Sequence, residues 1–401
     1  MKEVEQLMQI DRSITGDGVR NSLEILRAKT PFEIHEIPSG TQVFDWVVPQ
    51  EWVIRDAILI DEGGKVWADY KKDFLHVVSY SEPIDKEMTY EELEPHLHTA
   101  QIGIAVPYRT SYYERNWGIS ITKNAKKTMN PNLRYHVKID SEFKDGSLTY
   151  GERTIEGDGD EYIISTYCCH PNLINDNTAG MVMWADLLSQ MGKTKHTYRF
   201  VIAPETIGMI SYLATHDVSR VKGALIISHT IGQTGDGVQF KRSFLGDSYM
   251  DRVARLAIGN ETPFSVVGSD ERQLSSPSFR IPTILVNRGG LFQSGYHTSM
   301  DRDFNIGAYK QTLNAIKEIV ASIEGDRVIE SLNPHGEPML GKRNLYPNLG
   351  GDNQGNLDTK SLLSIMFYSG STLLDVSEKT GIPMSKLAGA ADILQREGLI
   401  K

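Results

Sequence analysis

The stretch from Tyr162 to Leu188 constrains this chain more than any other. It opens with Tyr162-Ile-Ile-Ser-Thr-Tyr-Cys168, a short apolar run rich in β-formers, which reads as a strand. His170, a Pro171-Asn172 turn and Asp176 follow. Apolar residues then recur at helical spacing, and a helix is expected over Thr178–Met191. Open α/β sheets place their sites at the carboxyl edge of such strands. His170 therefore stands at that edge and Asp176 just ahead of a helix. Both are residue types that bind zinc, so the rest of the chain must supply further ligands and a base.

The same alternation continues from about 150 to 325. Strands are expected at Tyr198–Ala203, Gly223–Ser228 and Ile281–Asn287, and helices at Glu205–Thr215, Ser248–Gly259 and Ile306–Ile323. This is an α/β pattern: a mostly parallel sheet with flanking helices. Ahead of it, residues 1–35 read as a helix, a Gly-rich link and a second helix at Val19–Ala28. Residues 38–134 read as an inserted β-rich domain, with strands at Thr41–Val48, Trp52–Ile60 and Gly118–Thr122, and another at Tyr135–Ile139 just beyond it. Thr89-Tyr-Glu-Glu is a capping box and starts a short helix. The α/β domain is thus expected over 1–37 and 135–330, with a Gly/Pro/Asn-rich linker at 331–351. Three short helices over 352–401, broken at Thr380-Gly-Ile-Pro, give a winged helix-turn-helix with a stub of a wing.

Composition narrows the function classes. A net charge of -10 argues against a protein built on phosphate contacts. The C-terminal module carries five Lys/Arg against six Asp/Glu, and its expected recognition helix from Met384 to Asp392 offers one Lys, so DNA binding is not expected. No run reaches the ~20 apolar residues of a membrane span, and no signal peptide is apparent at the N-terminus. The two cysteines, Cys168 and Cys169, are adjacent and unsuited to a mutual disulfide. A reducing cytoplasm is the expected compartment. Self-association stays open.

Position then selects the site residues. Glu205 follows one expected strand, His229 ends another, and His297 lies in a Gly-rich loop beyond the last. Two or three His and one Asp suit zinc, with fewer than four protein ligands leaving room for water. Glu205 is the candidate base and then proton donor to a leaving amine. Tyr296 is a candidate donor to a tetrahedral intermediate, against a packing role. Asp270 and Glu271 are candidates for binding a substrate ammonium or supporting a metal ligand, and Lys241 and Arg242 for gripping an anion. Cap, loop or solvated roles stand beside these readings. Tyr108, Tyr112, Tyr113 and Trp117 either line a cleft or form the core of the inserted domain. Cys169 is weighed as a buried hydrophobe against a metal ligand.

Cys169-His170-Pro together with Asn175-Asp176-Asn177-Thr-Ala-Gly resembles the co-catalytic two-zinc aminopeptidases of the bacterial leucyl aminopeptidase family. The whole chain resembles aminopeptidase-like proteins that occur among surface-polysaccharide biosynthesis genes. That match rests on Arg12-Ser-Ile-Thr-Gly-Asp-Gly, Val43-Phe-Asp-Trp, Leu75-His-Val-Val-Ser-Tyr-Ser, Lys241-Arg-Ser, Gly268-Ser-Asp-Glu-Arg-Gln and Tyr296-His-Thr-Ser. It implies a zinc-exopeptidase-like fold, with His170 as the first His, Asp176 bridging, Glu205 as base and His297 as the last His. Two positions depart from the two-zinc pattern. Thr206 replaces the second Glu, a ligand of the second metal, and His229 replaces an Asp ligand of the first. One zinc is therefore expected, on His170, Asp176 and His229 with His297 a fourth ligand or substrate contact; a second metal stays open. The function expected is a zinc-dependent amide hydrolase, an aminopeptidase acting on a peptide or small amide. The alternatives are a deacylase of a modified sugar or metabolite, and a binding or regulatory protein on a degenerate peptidase scaffold.

Overall fold

The computed structural model describes residues 2–232, 235–290, 293, 295–345 and 359–401. The strand that opens the central stretch runs Glu161–Tyr167, and every residue in it is buried. A strand covered on both faces reads as an unbroken apolar run rather than an alternation. It pairs in parallel with Thr197–Ala203 on one side and Val221–Ile227 on the other, and the latter pairs in parallel with Thr283–Arg288. Antiparallel strands extend both edges. Ser147–Ile155 and then Glu33–Pro38 lie beyond Thr197–Ala203, and Val238–Lys241 lies beyond Thr283–Arg288. The short strand Glu261–Thr262 completes an eight-stranded sheet.

The order of addition creates the site. Glu161–Tyr167 is laid down in the middle, the next central strand joins one side, and the one after joins the other. Growth reverses at Glu161–Tyr167, and a crevice opens at the carboxyl ends where it does. The helices Ala179–Gln190 and Ile207–Thr215, each mostly buried, follow the first two of these strands.

The smaller sheet obeys the other rule. Val66–Asp69, Glu51–Asp61, Arg134–Lys144 and Ile84–Thr89 pair antiparallel in that order. Along Arg134–Lys144 buried positions alternate with exposed or half-buried ones, as expected where only one face meets a core. The strand expected at Thr41–Val48 is instead a tight hairpin, Gln42–Val43 against Trp46–Val47, with Phe44 at φ 55° in the turn. The Thr89 capping box forms with Glu92, and the helix Tyr90–Leu93 tightens into a 3-10 turn at Glu94–His96, where Pro95 sits. Beyond this sheet the chain returns to the crevice. Pro107 bridges to Thr298, the Tyr108 N–H donates to the His297 carbonyl at 2.7 Å, and the Ser299 N–H donates to Val106 at 2.8 Å.

Packing divides the chain into two compact units, Met1–Gly246 with Thr262–Leu313, and Asp247–Glu261 with Asn314–Lys401. In the second, the helices Thr359–Phe367, Leu373–Thr380 and Met384–Arg396 form the helix-turn-helix. Thr372 caps the middle helix with Asp375, and Gly381 ends it in the left-handed conformation. Bridges of Val328 to Thr372 and Ser331 to Ile400 supply the wing stub. Arg252 pairs with Asp375 and Glu378 at 2.7 and 2.6 Å, and Arg327 pairs at 2.6 Å with Asp392 of the last helix. The last six residues of the expected linker 331–351, and the expected start of the last module at 352, lie outside the described residues.

Candidate metal centre

Four sequence-chosen side chains meet at the carboxyl edge of the large sheet. His170 follows Tyr167, Glu205 follows Ala203, His229 follows Ile227, and His297 comes from the loop after Arg288. Asp176 is the hub. His297 Nε2 lies 2.9 Å and His229 Nε2 3.7 Å from its Oδ2, and His170 Nδ1 lies 3.8 Å from its Oδ1. Ligand atoms of His170, Asp176 and His297 fall within 4.8 Å of one another. His229 joins this group through Asp176.

Whether these residues fit a metal is decided by what their atoms lack. Asp176 Oδ2, His229 Nε2 and His297 Nε2 are buried without a hydrogen-bond partner among the described residues. The 2.9 Å approach of His297 to Asp176 is a contact without hydrogen-bond alignment. A buried polar atom left unsatisfied costs about 1–3 kcal/mol, so leaving Asp176 Oδ2 and the two imidazole nitrogens beside it bare is a strong destabilisation, which a bound cation would relieve. The residues fit one.

The remaining atoms are held in place. Tyr167 donates to Asp176 Oδ1 at 2.6 Å, its hydroxyl meets Ser228 Oγ at 2.8 Å, and Ser228 Oγ meets His229 Nδ1 at 2.6 Å. Such outer partners fix the tautomer and aim of a ligand. Asp301 accepts from the backbone N–H groups of Asn175 and Asp176 at 2.7 and 2.9 Å. Arg12, buried at 1% exposure, donates to the His170 carbonyl and to Thr178 Oγ1, both at 2.9 Å, and so clamps the two ends of the ligand loop. Sequence reading gave no role to Tyr167, Ser228 or Asp301, and quoted Arg12 only within a motif. Asp301 stands four residues beyond His297, and Tyr167 ends the key strand; those positions were the available signals.

Protonation favours a metal as well. Burial lowers the pKa of His170 to about 4 and lowers that of His229. Burial opposes the charge of Asp176, but the surrounding imidazoles hold its pKa well below the usual carboxylate range. Neutral imidazoles and an ionised carboxylate are the forms that bind metals.

Glu205 is half-buried, and its pKa is raised by burial and then by the charges of Asp270 and Asp176. Its backbone N–H points at Cys169 Sγ at 3.4 Å, and Cys169, His170 and Glu205 form a second group with ligand atoms within 4.8 Å. Thr206 turns its N–H to Asp270 Oδ1 at 2.8 Å, and its hydroxyl accepts from Arg272 at 3.1 Å. Thr206, His229 and His297 all have positive φ, at 66°, 50° and 51°. For non-glycine residues this costs of order 1–3 kcal/mol each and gathers at functional sites.

The other sequence candidates divide. Tyr296 stacks on His297 with ring centres 3.7 Å apart. The rings of Tyr108 lie 5.1 Å from those of both His170 and His297, so this residue of the inserted segment lines the site. Asp270 stands near Glu205 with its pKa raised to about 7, chiefly by burial. Lys241 and Glu271 pair with each other at 2.5 Å, at 5% and 0% exposure. That buried pairing does not present either to a ligand. Arg242 is half-buried and directly follows the strand Val238–Lys241.

Residues 1–326 match the family model described as a domain of unknown function, DUF4910, and residues 327–401 match a winged helix-turn-helix model. A protein of Clostridium acetobutylicum, named as a polysaccharide biosynthesis protein with an aminopeptidase-like domain, is 40% identical over 99% of this chain and 95% of its own length. The crystal structure of a candidate peptidase from Clostridium acetobutylicum superposes with a TM-score of 0.92 at 38% identity, covering 100% of this chain and 95% of the other. A zinc aminopeptidase from Bacillus subtilis shares the fold at 10% identity, with a TM-score of 0.57 over 80% of this chain and 94% of its own.

Proposed function

This chain belongs to the DUF4910 family, with a winged helix-turn-helix appended and an aminopeptidase-like fold, and on that premise we propose that it is a metal-dependent amide hydrolase, an aminopeptidase acting through one zinc. The observation that carries this reading is the group His170, Asp176 and His297, whose ligand atoms lie within 4.8 Å of one another, with Asp176 Oδ2 and His297 Nε2 buried and without hydrogen bonds among the described residues, next to a carboxylate of raised pKa.

His170, Asp176, His229 and His297 would hold the zinc. When bound, zinc supplies Lewis acidity toward a carbonyl and toward water. Glu205 takes the proton from the attacking water as the new C–O bond forms. It returns that proton to the nitrogen as the C–N bond breaks, releasing an amine and a carboxylic acid. Its pKa, raised by burial, makes it a stronger base toward the attacking water than an ordinary carboxylate. Tyr296, beside His297, is proposed to donate to the tetrahedral oxyanion. One metal is favoured over two because the Thr206 hydroxyl, at the position of the second Glu, is engaged by Arg272.

Glu205→Gln tests the reading. We expect zinc content to be retained and kcat to fall by about 10²–10⁴, the usual share of a general base. Unchanged turnover would remove Glu205 from that role. The name of the Clostridium acetobutylicum relative favours a second substrate class, an amide on a sugar. Aminoacyl arylamides and N-acylated amino sugars, offered in parallel, separate the two.

A further inference from the structure

A cavity of about 410 Å³ adjoins the metal centre, with His297 and Tyr296 in its wall. Its size falls within the ~300–1,000 Å³ of small-molecule sites. Ile102, Pro107 and Tyr108 give it apolar sides, and Gln101 and Thr298 a polar part. Arg109 carries the only permanent charge among the described residues that line it.

The chain around Arg109 is fixed. Its carbonyl accepts from the Ser79 N–H at 2.9 Å, and the preceding Tyr108 N–H donates to the His297 carbonyl at 2.7 Å. The side chain is exposed, and no carboxylate among the described residues pairs with it. Several guanidinium groups of this acidic protein, with 52 Asp and Glu against 42 Lys and Arg, pair with carboxylates. Arg20 reaches Asp17, Glu36 and Glu51, Arg55 reaches Asp140 and Glu142, and Arg252 reaches Asp375 and Glu378. What sets Arg109 apart is its place in a cavity wall beside Tyr108 and His297, where a ligand can meet its guanidinium. The guanidinium fork matches a carboxylate in two parallel hydrogen bonds, and the pairing strengthens where water is excluded.

We propose that this cavity receives a carboxylate-bearing group of the substrate, and that Arg109 binds that carboxylate and sets specificity for it. The proposal rests on the hydrolase reading above. The carboxylate can belong to an acidic amino-acid side chain or to a uronic sugar, and the same Arg109 pairing serves both.

The test uses the full chain loaded with zinc. Calorimetry compares two pairs of probes that differ only at the carboxylate or chiefly there: L-isoglutamine with L-glutaminamide, and D-glucuronate with D-glucose. We expect the acid to bind about tenfold or more tightly than its neutral partner in at least one pair, and the pair that discriminates names the source. Arg109→Gln should bring the ratio near one, and Arg109→Lys should keep part of it. Equal binding within both pairs, or discrimination that survives Arg109→Gln, overturns the proposal. A kinetic arm separates this from the hydrolase reading, with L-glutamyl against L-glutaminyl 4-nitroanilide compared by kcat/KM. Hydrolysis without acid preference in either arm overturns the cavity assignment and leaves the hydrolase standing. Arg109-dependent acid binding without hydrolysis of any amide supports the cavity and overturns the hydrolase.

Discussion

Two buried polar clusters of the first unit invite comparison. Around Glu271 both carboxylate oxygens are satisfied. Lys241 Nζ reaches Glu271 Oε1 at 2.5 Å and the Val267 carbonyl at 2.9 Å, and the Ser269 N–H donates to Glu271 Oε2 at 3.0 Å. A Cβ at Gly268 would meet Glu271 Oε1 and Lys241 Nζ, so a larger residue there would displace the pair. Around Asp176 the backbone and outer atoms are equally well tied, yet three inward-facing atoms are left without hydrogen bonds among the described residues. Burial and charge alone do not distinguish a structural cluster from a site. The closed cluster organises a loop. The open one leaves atoms free for the cation proposed above.

Lys241→Met should break the closed cluster with the largest effect. It strands Glu271 in the interior, and removing one partner of a buried pair costs about 3–5 kcal/mol. Urea unfolding measures that loss. Replacing both partners, as Lys241→Met with Glu271→Leu, should cost far less, because an apolar pair of similar volume is often neutral. Zinc affinity of whatever folds should be unchanged. A double variant as unstable as the single one, or a drop in zinc affinity, would erase the distinction drawn between the clusters.

Asp270 lies between the two, one residue before Glu271 and electrostatically coupled to Glu205. Burial raises its pKa from the usual 3.8 to about 7. A carboxyl raised on folding supports the folded state while protonated, fully below pH 3.8, and that support is lost as pH rises through about 7. Between pH 5 and pH 8 this group alone should remove up to about 3 kcal/mol. Asp270→Asn should flatten that part of the pH–stability curve, read as urea midpoints at the two pH values. An unchanged slope would show that Asp270 titrates as an ordinary surface acid.

The sequence carried the closed and open regions unequally. The all-buried run Glu161–Tyr167 and the periodic helices after it were legible because a parallel sheet covered on both faces demands continuous apolar residues. The outer antiparallel strands Glu33–Pro38, Ser147–Ile155 and Val238–Lys241 were not, since they draw their order from backbone pairing more than from apolar pattern. His170, Asp176, Glu205, His229 and His297 could be picked because their chemistry and their place after strand ends coincide. Lys241 and Glu271 looked equally polar, but only the fold reveals that they consume each other's charge. Tyr108 was ambiguous for a different reason: its approach to His297 joins positions far apart in the chain.

The smallest effect is expected at Ser228, and it probes the open cluster without emptying it. Ser228 Oγ holds His229 Nδ1 at 2.6 Å and shares the Tyr167 hydroxyl, which in turn donates to Asp176. Ser228→Ala removes no candidate ligand and one small buried hydroxyl, at 0% exposure. If Nε2 of His229 faces a metal, loss of the outer partner should weaken zinc binding by about 10–100-fold, measured by competition with a chelator of known affinity. Ser228→Thr keeps the hydroxyl and should restore much of the affinity wherever the added methyl is accommodated. A cluster that serves only packing would lose stability with Ser228→Ala and show no change in zinc affinity. That outcome would move Asp176 and its histidines into the same class as Lys241 and Glu271.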